Sequence, residues 1–162
     1  TFRNQGQREK YVHDVIGYNM RISEISAAIA RHQLARLDAA NENRRRNAQR
    51  LTQGLLEAVR TPVEKSWATH VYHMYVVCTA QRDLLRRFMV QRGIETGLHY
   101  PIPVHMLEPY KSFARQGGYP VTERAASEVL SIPCHQHLLD HDIDHIISTV
   151  KEFKDLSAVS SP

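Results

Sequence analysis

Ile22, Ile25, Ile29 and Leu37 recur at helical spacing, with Ala28 and Ala30 among them, and this stripe constrains the fold more than any other feature. A segment so patterned is a helix that must bury one face against something else. Asn19 or Ser23 is predicted to cap it, since either side-chain oxygen accepts from an orphan backbone N–H two or three residues on. The polar run Asn41 to Arg50 thins the stripe, and Leu51, Leu55 and Val59 restore it. The spacing therefore predicts one very long helix, or two joined near Asn41, ending before Pro62.

Beyond Pro62 the pattern changes. Val63 to Thr69 reads as a loop, and Val71 to Cys78, rich in Val and Tyr, as a core strand. Arg82 to Gln91 is a helix with Leu84, Leu85, Phe88 and Met89 inward, stopped by Gly93 in the left-handed conformation. Ile94 to Leu98 is a second strand ending at His99-Tyr100-Pro101. Pro101 and Pro103 then stiffen a loop that should hold His99, Tyr100 and His105 near one another. Pro109 to Tyr119 is loop with a short helical turn around Ser112 to Arg115. Gly117, Gly118 and Pro120 mark a break before a helix from Glu123 to Val129 capped by Thr122. Ile132 lies in a short third strand closed by Pro133. Asp140 or Asp142 starts a last helix burying Ile143, Ile146, Ile147 and Val150, and the tail from Leu156 should fray. Long leading helices followed by a small, mainly antiparallel sheet covered by helices is an α+β fold. The division expected is 1–60, a connecting and long helical region, and 61–162, a small α/β domain.

Composition narrows the function classes. The chain has 162 residues, 42% of them hydrophobic and 23% charged, the profile of a globular protein able to bury a core. It contains no apolar run long enough for a membrane helix, and Thr1 to Lys10 lacks the apolar centre of a signal peptide. Cys78 and Cys134 are too few for a disulfide framework and suit a reducing, cytoplasmic setting. The net charge of +4 gathers between Arg31 and Arg60. Arg44, Arg45, Arg46 and Arg50 read as a solvated face or a subunit rim, because no aromatic residues interleave them as nucleic-acid binding would require.

No self-sufficient catalytic centre emerges. Of the ten histidines, only His141 and His145 stand four apart on one helical face, and the glutamate of a metalloprotease helix is missing between them. Cys134 and His135 are adjacent, so on extended chain their side chains point apart, and Cys134 reads as a buried thiol at a strand end. Neither a nucleophile elbow nor a phosphate-binding glycine loop is present.

The stretch TFRNQGQREKYVHDVIGYNMRISEISAAIARHQLARLD resembles the crossing from large to small domain in the DegT/DnrJ/EryC1/StrS family of pyridoxal-phosphate-dependent sugar aminotransferases. The Arg44-Arg45 region, THVYHMYVV at Thr69 to Val77, RDLLRRFMVQRGIETGLHYPIPVH at Arg82 to His105, and ERAASEVLSIP at Glu123 to Pro133 continue the resemblance in order. Ile22 stands where the family commonly has methionine and Ser26 where it commonly has glutamine.

The resemblance implies the small domain of a fold-type I enzyme that moves an amino group from an amino acid, usually glutamate, to a keto nucleotide-sugar. It also implies a homodimer with cross-subunit active sites. A large-domain lysine holds the cofactor as a Schiff base and an aspartate there pairs with its pyridine nitrogen. Lys10 lacks the surroundings of that lysine, so the chain is expected to be a fragment that binds no pyridoxal phosphate alone and is inactive by itself. Asn19 matches an asparagine that reaches the cofactor phosphate of the neighbouring subunit, where its amide N–H can donate. Arg21 can fork onto a substrate carboxylate or phosphate. His99, Tyr100 and His105 match the loop bordering the nucleotide-sugar pocket, with Tyr72 and His73 as weaker candidates on a sheet face. The competing class is a standalone interaction module docking through the basic helix, and an exposed Ile22-Ile25-Ile29-Leu37 face would suit either reading.

Overall fold

The computed structural model of the chain describes residues 1–115 and 118–159. Its backbone separates into two compact units, residues 1–39 and 40–162. In the first, β1 (Gln7–Glu9) and β2 (Val12–His13) pair antiparallel. The following corner is zipped to the start of the chain: Tyr18 N donates to Phe2 O (2.8 Å), Gln5 N to Tyr18 O (2.9 Å) and Met20 N to Arg3 O (3.0 Å). Gly17 is required there, because a Cβ on it would stand 2.1 Å from Gly6 N.

Helix α1 (Glu24–Leu34) starts at Ser23, whose hydroxyl accepts from Ser26 N at 3.2 Å. The cap is thus Ser23, and Asn19 is left for another role. The break between the leading helices falls at Ala35 and Arg36 rather than near Asn41: Arg36 N reaches back only three residues, to Gln33 O, which tightens and ends the turn before α2 (Leu37–Leu55) begins. No residue of α1 is buried; Ile25 is 77% exposed, and Ile22, Ile29 and Leu37 are exposed with it. The stripe exists as predicted, and among the described residues of its own unit nothing covers it.

The second unit holds the core. Ala48, Leu51 and Leu55 of α2 are fully buried with Tyr75 and Val77 of β3 (Tyr75–Cys78), Leu85 and Met89 of α3 (Arg82–Gln91), and Leu130 of β4 (Val129–Ile132). Ile143, Ile146 and Val150 of α5 (Asp140–Val159) close it. Each large aliphatic side chain so removed from water contributes about 1.5–3 kcal/mol. β3 and β4 pair antiparallel from Tyr75↔Ile132 to Cys78↔Val129, and single bridges extend the ladder at both edges, Arg60 on Cys78 and Gly97 on Ser131. The fold is α+β, as the element order predicts.

Several boundaries differ from expectation. The strand begins at Tyr75 instead of Val71 because Tyr72 takes a left-handed φ of 48°, which no extended strand accommodates. Ile94 to Leu98 contributes only the Gly97 bridge. Leu84 is 50% exposed: it neighbours Leu85, which points about 100° away around the helix into the core. Gly93, at φ 76°, ends α3 as expected, with Gly93 N bonding Val90 O and Ile94 N bonding Met89 O, the paired bonds of a left-handed helix stop.

Short 3-10 turns at Val104–Met106 and Glu108–Phe113 replace the single turn expected around Ser112. Helix α4 (Pro120–Glu128) opens on Pro120, whose locked φ suits a first helical position, so Thr122 lies inside it and does not cap it. Val129 leaves that helix for β4. The last helix starts at Asp140, the Asp142 carboxylate accepts from Leu139 N at 2.8 Å, and the helix extends to Val159. Gly117, expected at the break, and Ser160 to Pro162 lie outside the described residues.

Candidate functional site

Two prolines and two polar side chains shape the loop after Gly97. His99 Nδ1 lies 2.9 Å from Ser131 Oγ on β4, and the His99 and Tyr100 rings meet edge to face at 5.7 Å across a cis peptide. Farther along, His105 packs against Tyr119 in a tilted contact (4.6 Å between ring centres) and its Nε2 sits 3.0 Å from Glu123 Oε1. Between these anchors the loop and α4 form an open pocket of about 240 Å³, walled by His99, Tyr100, Ile102 and Val104 on one side and Thr122, Ala125 and Val129 on the other. No side chain of fixed charge lines it. Such a surface suits a ring with an apolar face and hydroxyls for the imidazole and phenol to meet. Tyr100 is 72% exposed, so its hydroxyl is open to a ligand.

The structure thus brings His99 and Tyr100 together at one pocket, while His105 turns its Nε2 to α4 and does not line it. The Glu123 carboxyl is held below its usual range, first by the Tyr119 N–H that donates to it at 2.8 Å and then by His105. Two larger hollows carry less. One of about 520 Å³ is walled by α3 alone, at Asp83, Arg86, Arg87, Val90 and Gln91, and one of about 440 Å³ lies open over residues 69–74. Neither encloses a ligand from two sides.

Two of the four arginines of α2 are held in ion pairs, while Arg46 is exposed. Arg45 Nη1 donates to Glu64 Oε1 (2.9 Å) and His70 O (2.7 Å), and Arg50 bridges Asp140 (2.5 Å) and Asp144 (2.7 Å) on α5. Glu64 also accepts from His70 N (3.1 Å) and the Tyr72 hydroxyl (3.2 Å). Arg45, then the His70 N–H, keep its carboxyl ionised to lower pH than usual. This network explains how Tyr72 is held in its unusual φ: its ring lies 4.2 Å from that of His70 and its N–H bonds His70 Nδ1 (2.8 Å). Tyr72 is buried in the core, not paired on an open sheet face.

In the first unit, Asn19 Oδ1 accepts from Arg21 Nε at 3.1 Å, and both side chains are exposed. That bond fixes the amide so that its NH2 faces away from Arg21. Among the described residues nothing accepts from this NH2. A directed, unpaired amide donor fits a phosphate oxygen. The lysines offer a different picture: Lys10, Lys65, Lys111, Lys151 and Lys154 are all exposed, and none lies in a desolvated pocket of the kind that houses an imine-forming amine. Among the described residues no three His, Cys, Asp or Glu side chains converge as metal ligands, and no helix is long and apolar enough to cross a membrane.

Sequence reasoning missed Glu123, Ser131 and Glu64. Their partners stand 18, 32 and 19 residues away in the chain, beyond any helical or strand spacing rule.

The comparisons with known proteins agree with this picture. S. venezuelae DesV, solved in complex with a ketimine intermediate, superposes with a TM-score of 0.90 at 37% identity, over 95% of this chain and 42% of that one. An aminotransferase from Brucella abortus gives 0.87 at 30% identity, over 93% and 41%. Among curated relatives, the dTDP-3-amino-3,4,6-trideoxy-alpha-D-glucose transaminase of Streptomyces venezuelae is 38% identical over 93% of this chain and 41% of its own length. The erythromycin biosynthesis sensory transduction protein EryC1 of Saccharopolyspora erythraea is also 38% identical, over 92% and 42%. The chain therefore spans about two fifths of the length of the relatives it matches. The family model of the DegT/DnrJ/EryC1/StrS aminotransferases matches residues 1–151, and the chain belongs to that family.

Proposed function

We propose that this chain is the small-domain portion of a pyridoxal-phosphate-dependent sugar aminotransferase that transfers an amino group from an amino acid such as glutamate to a keto nucleotide-sugar. The observation that carries this reading is the family match, which runs in order from the first residue to 151 and includes the walls of the His99–Tyr100 pocket. The cofactor supplies the electron sink through which the amino group passes. The residues of this chain bind and orient around it. Asn19 donates its amide N–H to the cofactor phosphate of a neighbouring subunit in a cytoplasmic homodimer, with Arg21 fixing the amide and presenting its remaining guanidinium N–H groups to substrate anions. His99 and Tyr100 border the sugar, and His105 completes their loop with its Nδ1 edge. In the parent, residues 1–60 carry the chain from the large domain and 61–162 form the small one, while the covalent lysine is supplied by the large domain.

The full-length protein, loaded with pyridoxal phosphate, should transfer the amino group of glutamate to a keto nucleotide-sugar. The 162-residue chain alone should give neither the Schiff-base absorbance nor turnover. Robust turnover by this chain alone, or none by the loaded full-length protein, would reject the reading.

A further inference from the structure

The loop that walls the pocket is tied down at two points, and only its first tie, His99 to Ser131, lies at the pocket itself. The second is a three-way junction on α4. One oxygen of Glu123, Oε1, receives the Tyr119 N–H at 2.8 Å and faces His105 Nε2 at 3.0 Å. The His105 ring packs against Tyr119 with the two planes tilted by 53°, and its side chain is only 15% exposed. The Arg115 guanidinium stacks on Tyr119 at 4.7 Å. Gly118, at φ 68°, leaves the space this needs, since a Cβ there would come within 2.7 Å of Glu123 Oε1. Between the two ties the prolines at 101 and 103 remove backbone freedom, so the position of His105 is transmitted to Val104, Ile102 and Tyr100. Past His105, Met106 N and Leu107 N close a tight turn on Pro103 O and Val104 O.

We propose that Glu123 is a positioning residue for the substrate pocket: it touches no ligand itself, but by holding His105 against α4 it sets the loop that presents Tyr100 and Ile102 to the sugar. The pocket's being a sugar pocket rests on the function proposed above, whereas the clamp does not. Glu123 does this better than a neutral residue would, because a hydrogen bond to a carboxylate is roughly twice as strong as one between neutral groups. The same oxygen accepts the N–H of Tyr119, the residue that leads into α4, so the entry to the helix and the placement of the loop are set by one atom.

Two measurements test this. In the 162-residue chain, amide hydrogen exchange at Met106 and Leu107 should accelerate about tenfold in both Glu123→Ala and His105→Phe, the loss of one charge-assisted bond, with Val77 and Leu130 unchanged. His105→Phe keeps the ring contact with Tyr119 and the entry to the helix, so it decides the question if Glu123→Ala does not fold. Unchanged exchange in His105→Phe overturns the clamp. In the full-length enzyme, Glu123→Ala should raise KM for the keto-sugar about tenfold while leaving kcat and the half-reaction with the amino donor within about twofold, and Glu123→Gln should cut the rise to about threefold. A KM that stays at the native value, or equal losses in both half-reactions, overturns the positioning role. If the native full-length protein transfers no amino group, the functional reading fails, and the exchange rates alone decide the clamp.

Discussion

Gly54, near the end of α2, faces the side of Ile147 on α5, and replacing it with alanine tests how tightly these helices pack. A Cβ at Gly54 would lie 2.6 Å from Ile147 Cδ1 and 2.9 Å from both Cγ1 and Cγ2. Carbon atoms rest at about 3.5–4.0 Å, so the new methyl intrudes by roughly an ångström on three atoms at once. Because both branches of the isoleucine are involved, a change of rotamer does not clear the space, and the helices must separate. Overpacking of this kind costs about 1–3 kcal/mol, against about 1 kcal/mol gained from replacing glycine by alanine in a helix. The net expectation for Gly54→Ala is a loss of about 1 kcal/mol, a fall of roughly 0.5–1 M in the urea midpoint. In an Ile147→Ala background the obstruction is gone, and the same substitution should stabilise by about 0.5–1 kcal/mol. The sign change is the decisive feature, read from urea unfolding of the four proteins of the cycle. A Gly54→Ala protein as stable as the native one or more so, with Ile147 in place, would refute the packing.

Two further outcomes follow from buried polar groups. The Tyr75 hydroxyl, fully buried and 2.7 Å from Thr52 Oγ1, should lose its partner in Thr52→Val, destabilising the chain by about 1–3 kcal/mol with little change in near-native volume, as unfolding midpoints will show. Burial pushes the Cys134 thiol up to about 11, so at pH 8 a thiol-directed disulfide reagent should label Cys134 only as fast as the chain unfolds, and rapid labelling in the native state would contradict its placement.

How far sequence reasoning reached depends on the distance over which each interaction acts. Helix α3 and its stop at Gly93 follow from period and a single left-handed glycine, both contained in a dozen residues. The Ile143, Ile146 and Val150 face of α5 follows in the same way. The family likewise rests on local motifs, and a pocket at His99 and Tyr100 was approached through them. Strand limits were harder, because whether 71–74 continues β3 is settled by the Glu64 network around Tyr72, not by β propensity.

By itself, then, the amino-acid sequence determined the helical periods, the glycine stop, the α+β element order and the family, because these arise from side-chain spacing along a short stretch of chain. Only the tertiary structure decided that Arg45 of α2 pairs with Glu64 and Arg50 with Asp140 and Asp144, that Ser23 and not Asn19 caps α1, and that His105 leans on Glu123 while His99 leans on Ser131. Most of these pairings join residues far apart in sequence, where several carboxylates and hydroxyls compete for each donor. The partner is chosen by where the packed helices and strands place the side chains, and that choice is a property of the whole core.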